Sequence, residues 1–155
     1  MDLERVGNFR ATGVSDEERE AAVLAPVIVR DGSEHLLFTK RADHLGEHPG
    51  QMSFPGGGRE PSDADLQETA LREANEEIGL DPSEADIVGR IDDIRTVTRY
   101  SIRPFVGTVP DRSYTPDERE VAEIAVLSVA DLTDLDNYES ERRDHPHYGD
   151  IRLHF

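Results

Sequence analysis

Glu73, Glu76 and Glu77 fall within five residues of one another, just ahead of Gly79. On a helix, residues i, i+3 and i+4 are neighbours with Cβ atoms ~5–6 Å apart. Three carboxylates at that spacing offer their oxygens to one or more hard cations. Mg²⁺ takes oxygen ligands and keeps several waters, which leaves room for substrate phosphates. The C-terminal end of a helix carries partial negative charge, so carboxylates gathered there are unfavourable until a cation offsets them. A plainer reading is a solvated acidic face in which Arg72 simply pairs with Glu76 one turn on. In a chain with 34 acidic residues such a triple arises easily.

The glutamates need a helix to hold them, and the spacing predicts one over about Asp63 to Ile78. Asp63 or Ser62 is the expected cap and Gly79 the stop. Leu71, Ala74 and Ile78 share one face, and the glutamates lie on the roughly opposite one. Upstream, "AAVLAPVIVRDG" and "EHLLFTKRA" are apolar runs split by Asp31-Gly32, the signature of a β-hairpin. "HLGEHPG" reads as a loop, and "QMSFPGGG" as a strand entering a glycine turn. Downstream, "ADIVGRIDDIRTVTRYSIRPFVGTV" reads as two or three strands and "EVAEIAVLSV" as another. "SVADLTDL" reads as a short helix capped by Ser128, and "GDIRLHF" as an alternating strand. The first twenty residues are charged and read as irregular or weakly helical. Strands alternating with helices indicate an α/β or α+β architecture.

The 155 residues are enough for one domain with one core. No apolar run approaches the ~20 residues of a membrane helix. The start, Met1 to Arg5, has no apolar stretch of the kind that opens a secretory signal. Absence of cysteine excludes disulfides, thiol catalysis and Cys-ligated zinc, and points to the cytoplasm. The formal net charge of −17 argues against nucleic acid and anionic membranes as partners. Lys40 is the single lysine; every other basic residue is arginine. An acid-rich, lysine-poor composition is similar to that of proteins from salt-loving microbes, where salt screens self-repulsion.

"REANEEIGL", Arg72 to Leu80, matches the Arg-Glu-apolar-x-Glu-Glu-x-Gly-apolar core of the Nudix box at every defined position, with glycines preceding it. The chain thus resembles the Nudix hydrolases, which cleave a nucleoside diphosphate linked to another moiety. The resemblance implies an α/β/α sandwich with a mixed central sheet and a loop–helix–loop that binds Mg²⁺ or Mn²⁺. It implies that Glu73, Glu76 and Glu77 bind metal and that Arg72 holds the carboxylates in place. The place of the family's first acidic residue falls on Ala64, and Asp63 lies one residue earlier.

"LLFTKRADHLGEHPGQMSFPGG" resembles the signature of the coenzyme A pyrophosphatase branch. The matching residues are Leu36, Leu37, Thr39, Arg41, His48, Gly50, Gln51, Phe54, Pro55, Gly56 and Gly57. Gly46 stands where the branch has arginine, and Glu60 where it has aspartate. The branch has the same shifted box spacing. The resemblance implies hydrolysis of coenzyme A or its thioesters to adenosine 3′,5′-bisphosphate and a 4′-phosphopantetheine product. It makes Lys40, Arg41, His48, Gln51, Gly56 and Gly57 the candidate substrate contacts. The duller readings are an exposed strand end for Lys40 and Arg41, a plain turn for the glycines, and a loop residue for His48. Glu120 or Glu123, in a stretch resembling the family's later acidic strand, is the candidate further carboxylate; surface acids flanking a strand are the alternative.

Within the family, other nucleoside diphosphate derivatives are the competing substrates: ADP-ribose, nucleotide sugars and dinucleoside polyphosphates. A catalytically idle nucleotide-binding module is the competitor from another class. A homodimer is compatible with either. The resemblance runs from about Ala22 to Leu135. The family continues with a further strand, a Trp-Gly-type segment and a closing helix, so the expectation is one domain over 1–155 lacking that strand and helix.

Overall fold

The computed structural model describes residues 19–42 and 51–137. In chain order the elements are β1 (Arg19–Arg30), β2 (Ser33–Arg41), β3 (Met52–Ser53), β4 (Gly56–Gly58) and α1 (Leu66–Ile78). A 3₁₀ turn (Pro82–Glu84) follows, then β5 (Asp86–Arg90), β6 (Ile94–Arg95), β7 (Tyr100–Thr108), β8 (Val121–Ser128) and α2 (Val129–Asn137). The strands form one mixed sheet: β1 and β7 run parallel, and every other pair is antiparallel. No helix among the described residues is long and apolar enough to cross a membrane.

The Asp31-Gly32 hairpin forms as the sequence predicts. Both turn residues take positive φ, 51° and 75°, and Arg30 faces Ser33 across it. That is the turn whose twist matches the strands on either side.

β1 is the central strand, buried from Ala21 to Ile28. One of its edges pairs with β7 from Arg19 to Val27. The other is shared: Ala21–Val23 pair with β4, and Val27–Arg30 pair with β2. Pro26 sits at the changeover. A proline has no N–H to give, so it is tolerated in a central strand only where no ladder bond is due. Leu24 N–H reaches Pro55 O, and two residues on the same edge has no partner strand at Pro26. β2 diverges here, pairs with β3 at Thr39 and Lys40, and keeps β8 along its other edge. The space between the diverging strands becomes the cleft described below.

α1 covers one face of the sheet. Leu66, Ala70, Ala74 and Ile78 are its buried stripe and pack with Ala22, Leu24, Ile28 and Phe105. On the other face Val23, Val27, Phe38, Met52, Phe54, Ile102, Val106 and Leu127 form a second cluster, with Leu132 of α2 against it. The layers are therefore helix, mixed sheet, helix.

Four expectations change. The helix starts at Leu66, and its cap is Asp65, which accepts from Glu68 N–H at 2.8 Å; Asp63 and Ser62 lie ahead of it. The apolar stripe runs at every fourth residue from Leu66, which leaves Leu71 only half-buried at its margin. Gly56–Gly58 is a strand paired with β1, not a turn. With the stripe placed this way, Glu77 lies on the buried side of α1 and only Glu76 on the solvent side. The downstream expectations hold: three strands between Asp86 and Thr108, β8, and a short helix whose Asp131 N–H is capped by Ser128 Oγ at 3.0 Å. The N-terminal segment, the loop at 43–50 and the strand expected near the C-terminus lie outside the described residues.

Candidate active site

The site is built on the last turns of α1. Gly79 closes the helix in the left-handed conformation, φ 73°, and its N–H bonds Asn75 O at 3.0 Å. Three more carbonyls at this end are met from outside. Thr115 N–H reaches Ile78 O at 3.1 Å, Asp117 N–H reaches Glu77 O at 2.9 Å, and Arg112 reaches Gly79 O at 3.2 Å. These donors satisfy the orphan acceptors and offset the negative end of the helix dipole. They also dock the loop that follows β7. Asp117 O then accepts from the N–H groups of Glu120 and Val121, and Glu120 O accepts from Ala42 N–H. Glu120 is thereby fixed close enough for its charge to reach Glu73 and Glu77.

Arg72 ties the acidic groups together. Its Nε and Nη2 grip Asp63 Oδ1 and Oδ2 at 2.9 and 3.1 Å, and Nη2 also bonds Gly58 O at 3.0 Å. Its Nη1 reaches Glu73 Oε1 at 3.1 Å and both oxygens of Glu76 at 3.3 Å. Asp63 is buried and fully engaged: it also accepts from Thr69 Oγ1 and from Glu60 N–H, each at 2.9 Å. The Arg72 guanidinium holds the Asp63 carboxyl well below the usual carboxylate range, against the opposing effect of burial, and Asp63 in turn raises Arg72. The shifted box spacing is absorbed before the helix begins. Ser62 to Asp65 are non-helical, and Arg59 clamps the carbonyls of Asp63 and Ala64.

Two glycines set how close the glutamates come to the sheet. Gly56 N–H donates to Glu77 Oε2 at 2.7 Å. A Cβ on Gly56 would lie 2.3 Å from Val23 Cγ1 and 2.5 Å from Ala22 O, so no side chain fits there. A Cβ on Gly57 would lie 2.6 Å from the Glu73 carboxyl carbon. Burial pushes the Glu77 carboxyl up to about 8, and the charges of Glu73, Glu120 and Glu76 add to this against the Gly56 hydrogen bond. Burial likewise raises Glu73, with Arg72 opposing.

These residues fit a hard divalent cation. Their donors are carboxylate oxygens, they repel one another, and the Gly57 position is kept empty for the Glu73 carboxylate. They are not already closed around a point. Among the described residues no three acidic or histidine side chains stand at ligand spacing. Glu73 and Glu76 are turned to Arg72, and Glu77 to Gly56.

Beside the glutamates opens a cleft of about 480 Å³. Arg41, Gln51, Gly56, Gly57, Glu77 and Glu120 all line it, as do Thr39, Phe54, Thr98 and Tyr100. Arg72, Glu73 and Glu76 are outside the lining; Arg72 bonds the carbonyl of Gly58 and the Glu73 carboxyl meets the Gly57 position, and both glycines belong to it. Lys40 does not line the cleft; it pairs with Met52 of β3 and Glu123 of β8, and a bulge separates it from Arg41. Glu123 is outside the lining as well. His48 lies outside the described residues. Sequence reasoning missed Thr98 and Tyr100, which no local motif marks, and left the part played by Asp63 open.

A model of the NUDIX domain matches residues 19–147. The Nudix hydrolase NudL of Enterobacter sp. (strain 638) is 40% identical over 133 residues, covering 83% of this chain and 69% of its own. NudL of Cronobacter sakazakii (strain ATCC BAA-894) is 42% identical over 122 residues, covering 78% of this chain and 63% of its own. This chain therefore spans only part of the length of these relatives. Among solved structures, a NUDIX hydrolase from Alicyclobacillus acidocaldarius superposes with a TM-score of 0.64 at 20% identity, covering 81% of this chain and 86% of that one. A C. elegans Ap4A hydrolase in a binary complex gives 0.61 at 15%, covering 80% and 90%. At such identities the likeness is one of fold.

The two glycines separate stability from site geometry. Gly56→Ala meets strand backbone and is expected to cost about 1–3 kcal/mol or more in denaturant unfolding. Gly57→Ala meets only the end of a flexible side chain. It should unfold near the wild-type midpoint yet bind Mn²⁺ about 10–100-fold more weakly by titration. Equal loss of stability in both would contradict this.

Asp63 gives a signed pH effect. Its folded value is lowered, so its stabilisation is present above the unfolded value of ~4 and fades as pH falls below it. Asp63→Asn leaves a guanidinium without its buried partner and should cost about 3 kcal/mol at pH 7. In urea titrations the gap to wild type should narrow steadily below about pH 4.

Proposed function

Because the chain belongs to the Nudix family, hydrolases that act on phosphoanhydride bonds, we propose that it is a metal-dependent pyrophosphohydrolase of coenzyme A or its thioesters. The products are adenosine 3′,5′-bisphosphate and a 4′-phosphopantetheine. The observation that carries the reaction is the array of Glu73, Glu76 and Glu77, held by Asp63-anchored Arg72 and set beside Gly56 and Gly57 at the edge of the cleft. The choice of coenzyme A rests on the signature from Leu36 to Gly57, whose Thr39, Arg41, Gln51, Phe54, Gly56 and Gly57 line that cleft.

Glu73, Glu76 and Glu77 would hold the Mg²⁺ or Mn²⁺. When bound, such an ion neutralises charge on the phosphate oxygens and makes water a stronger nucleophile at neutral pH. Arg72 Nη1 holds Glu73 and Glu76 together. Gly56 N–H orients Glu77 Oε2. Arg41 offers a guanidinium to the substrate's phosphates from the lining. A water oxygen attacks one phosphorus of the diphosphate in line, the bridging P–O bond breaks, and each product leaves with one of the two diphosphate phosphorus atoms, the adenosine product keeping its 3′-phosphate as well. We assign the water's proton to the Glu120 carboxylate, which faces the cleft. An acid-rich surface with one lysine suits a salt-rich cytoplasm.

Coenzyme A is to be incubated with the protein in molar potassium chloride with Mg²⁺ or Mn²⁺, and the products read by mass spectrometry. Release of the two named products is expected, and Glu77→Gln should lower turnover by about 100-fold without unfolding the chain. Turnover of ADP-ribose or a dinucleoside polyphosphate but not coenzyme A would overturn the substrate. Nucleotide binding without product, unaffected by Glu77→Gln, would overturn the enzyme.

A further inference from the structure

We propose that Tyr100 is the wall against which the substrate's nucleobase stacks, making it a specificity-determining residue of the cleft. The inference rests on the nucleotide-derived substrate proposed above. Among the described residues two aromatic side chains line the cleft, Phe54 and Tyr100. Phe54 is buried, and its ring is already stacked on Phe38, with centroids 4.8 Å apart at 19°. Tyr100 is half-buried and remains the aromatic surface open to a ligand.

Its surroundings hold the ring in place. Tyr100 begins β7 in register with Arg19 at the start of β1, and the Arg19 guanidinium carbon lies 5.6 Å from the ring centroid. That is within the range at which a cation is attracted to a π face. Tyr100 lines the cleft and Arg19 does not, so the ring's cleft side is the one offered to another π system. The turn before Tyr100 is fastened twice to Thr96: Tyr100 N–H donates to Thr96 Oγ1 at 3.1 Å, and Thr96 N–H donates to Tyr100 O at 2.9 Å. Arg99 completes the turn at φ 64°, in the left-handed region.

The position also suits a nucleotide. Gly58, Ala21 and Ile102 stand side by side on β4, β1 and β7, and Tyr100 is two residues along from Ile102. Strand spacings of ~4.8 Å and a rise of ~3.3 Å per residue put the Tyr100 backbone on the order of 12 Å from Gly58. A ribose and its phosphate fill such a gap between a base on Tyr100 and a diphosphate at the glycines. Every base presents a π face, so stacking tolerates different bases and adds about 10–100-fold in affinity.

The test compares ADP, which carries a base, with inorganic pyrophosphate, which does not. Binding of each is measured calorimetrically to the wild-type chain and to Tyr100→Leu and Tyr100→Phe, in Mg²⁺ and molar potassium chloride. Leucine keeps apolar bulk against the core but has no aromatic face. Expected are a loss of about 10–100-fold for ADP with Tyr100→Leu, pyrophosphate binding unchanged, and near-wild-type ADP binding with Tyr100→Phe. Equal ADP binding by Tyr100→Leu would overturn the inference. So would a matching loss for pyrophosphate, or a wild-type chain that holds ADP no more tightly than pyrophosphate. Should the wild-type chain leave coenzyme A intact while ADP binding still follows Tyr100, the substrate reading falls and this one stands.

Discussion

A buried carboxylate stays ionised only with a partner, and Asp63 has Arg72. That pair is the fixed point of the molecule's acidic centre. Asp63 is anchored by a backbone N–H and by the Thr69 hydroxyl, so it cannot follow the arginine if the arginine moves. Arg72 spends Nε and Nη2 on Asp63 and Gly58, and so presents Nη1 at one place. Glu73 and Glu76 both turn to it. An acidic cluster at the negative end of a helix is thereby tolerated.

The remaining parts follow from how the sheet is divided. β1 changes its partner from β4 to β2 at Pro26, where a proline does no harm. Gly56 lies too close to β1 for any side chain and donates its N–H to Glu77, and the Glu73 carboxyl occupies the space a side chain on Gly57 would need. Diverging β2 contributes Arg41 to the cleft, and the loop docked on the end of α1 contributes Glu120. The same hydrogen bonds that cap the helix therefore place a carboxylate opposite the glutamates. Helix termination and site assembly are one event.

Much of this is legible from short stretches of sequence. Asp31-Gly32 dictates its hairpin because both residues tolerate positive φ, and Gly79 dictates the helix end for the same reason. The glutamate spacing dictates one helix face. What sequence does not resolve is which face the sheet takes. Leu71 competes with Leu66 for that role, and choosing the stripe through Leu66 turns Glu77 inward. The start of α1 is ambiguous because Ser62, Asp63 and Asp65 are all good caps; only the burial of Asp63 beside Arg72 decides it. Three successive glycines read as a turn until β1 is there to pair with them. Tyr100 joins the cleft through a parallel pairing with a strand some eighty residues earlier, which no local pattern announces.

We propose that Arg72, fixed by Asp63, holds the carboxylates ready for a divalent ion. Uptake of Mn²⁺, read from the loss of the free-ion electron paramagnetic resonance signal at molar potassium chloride, tests it most directly. The folded wild-type chain should take up Mn²⁺ saturably, and Arg72→Lys, which cannot grip Asp63 with two nitrogens, should do so at least about tenfold more weakly while still folded. A folded wild-type chain that takes up none, or an Arg72→Lys variant that binds as tightly as wild type, would contradict it.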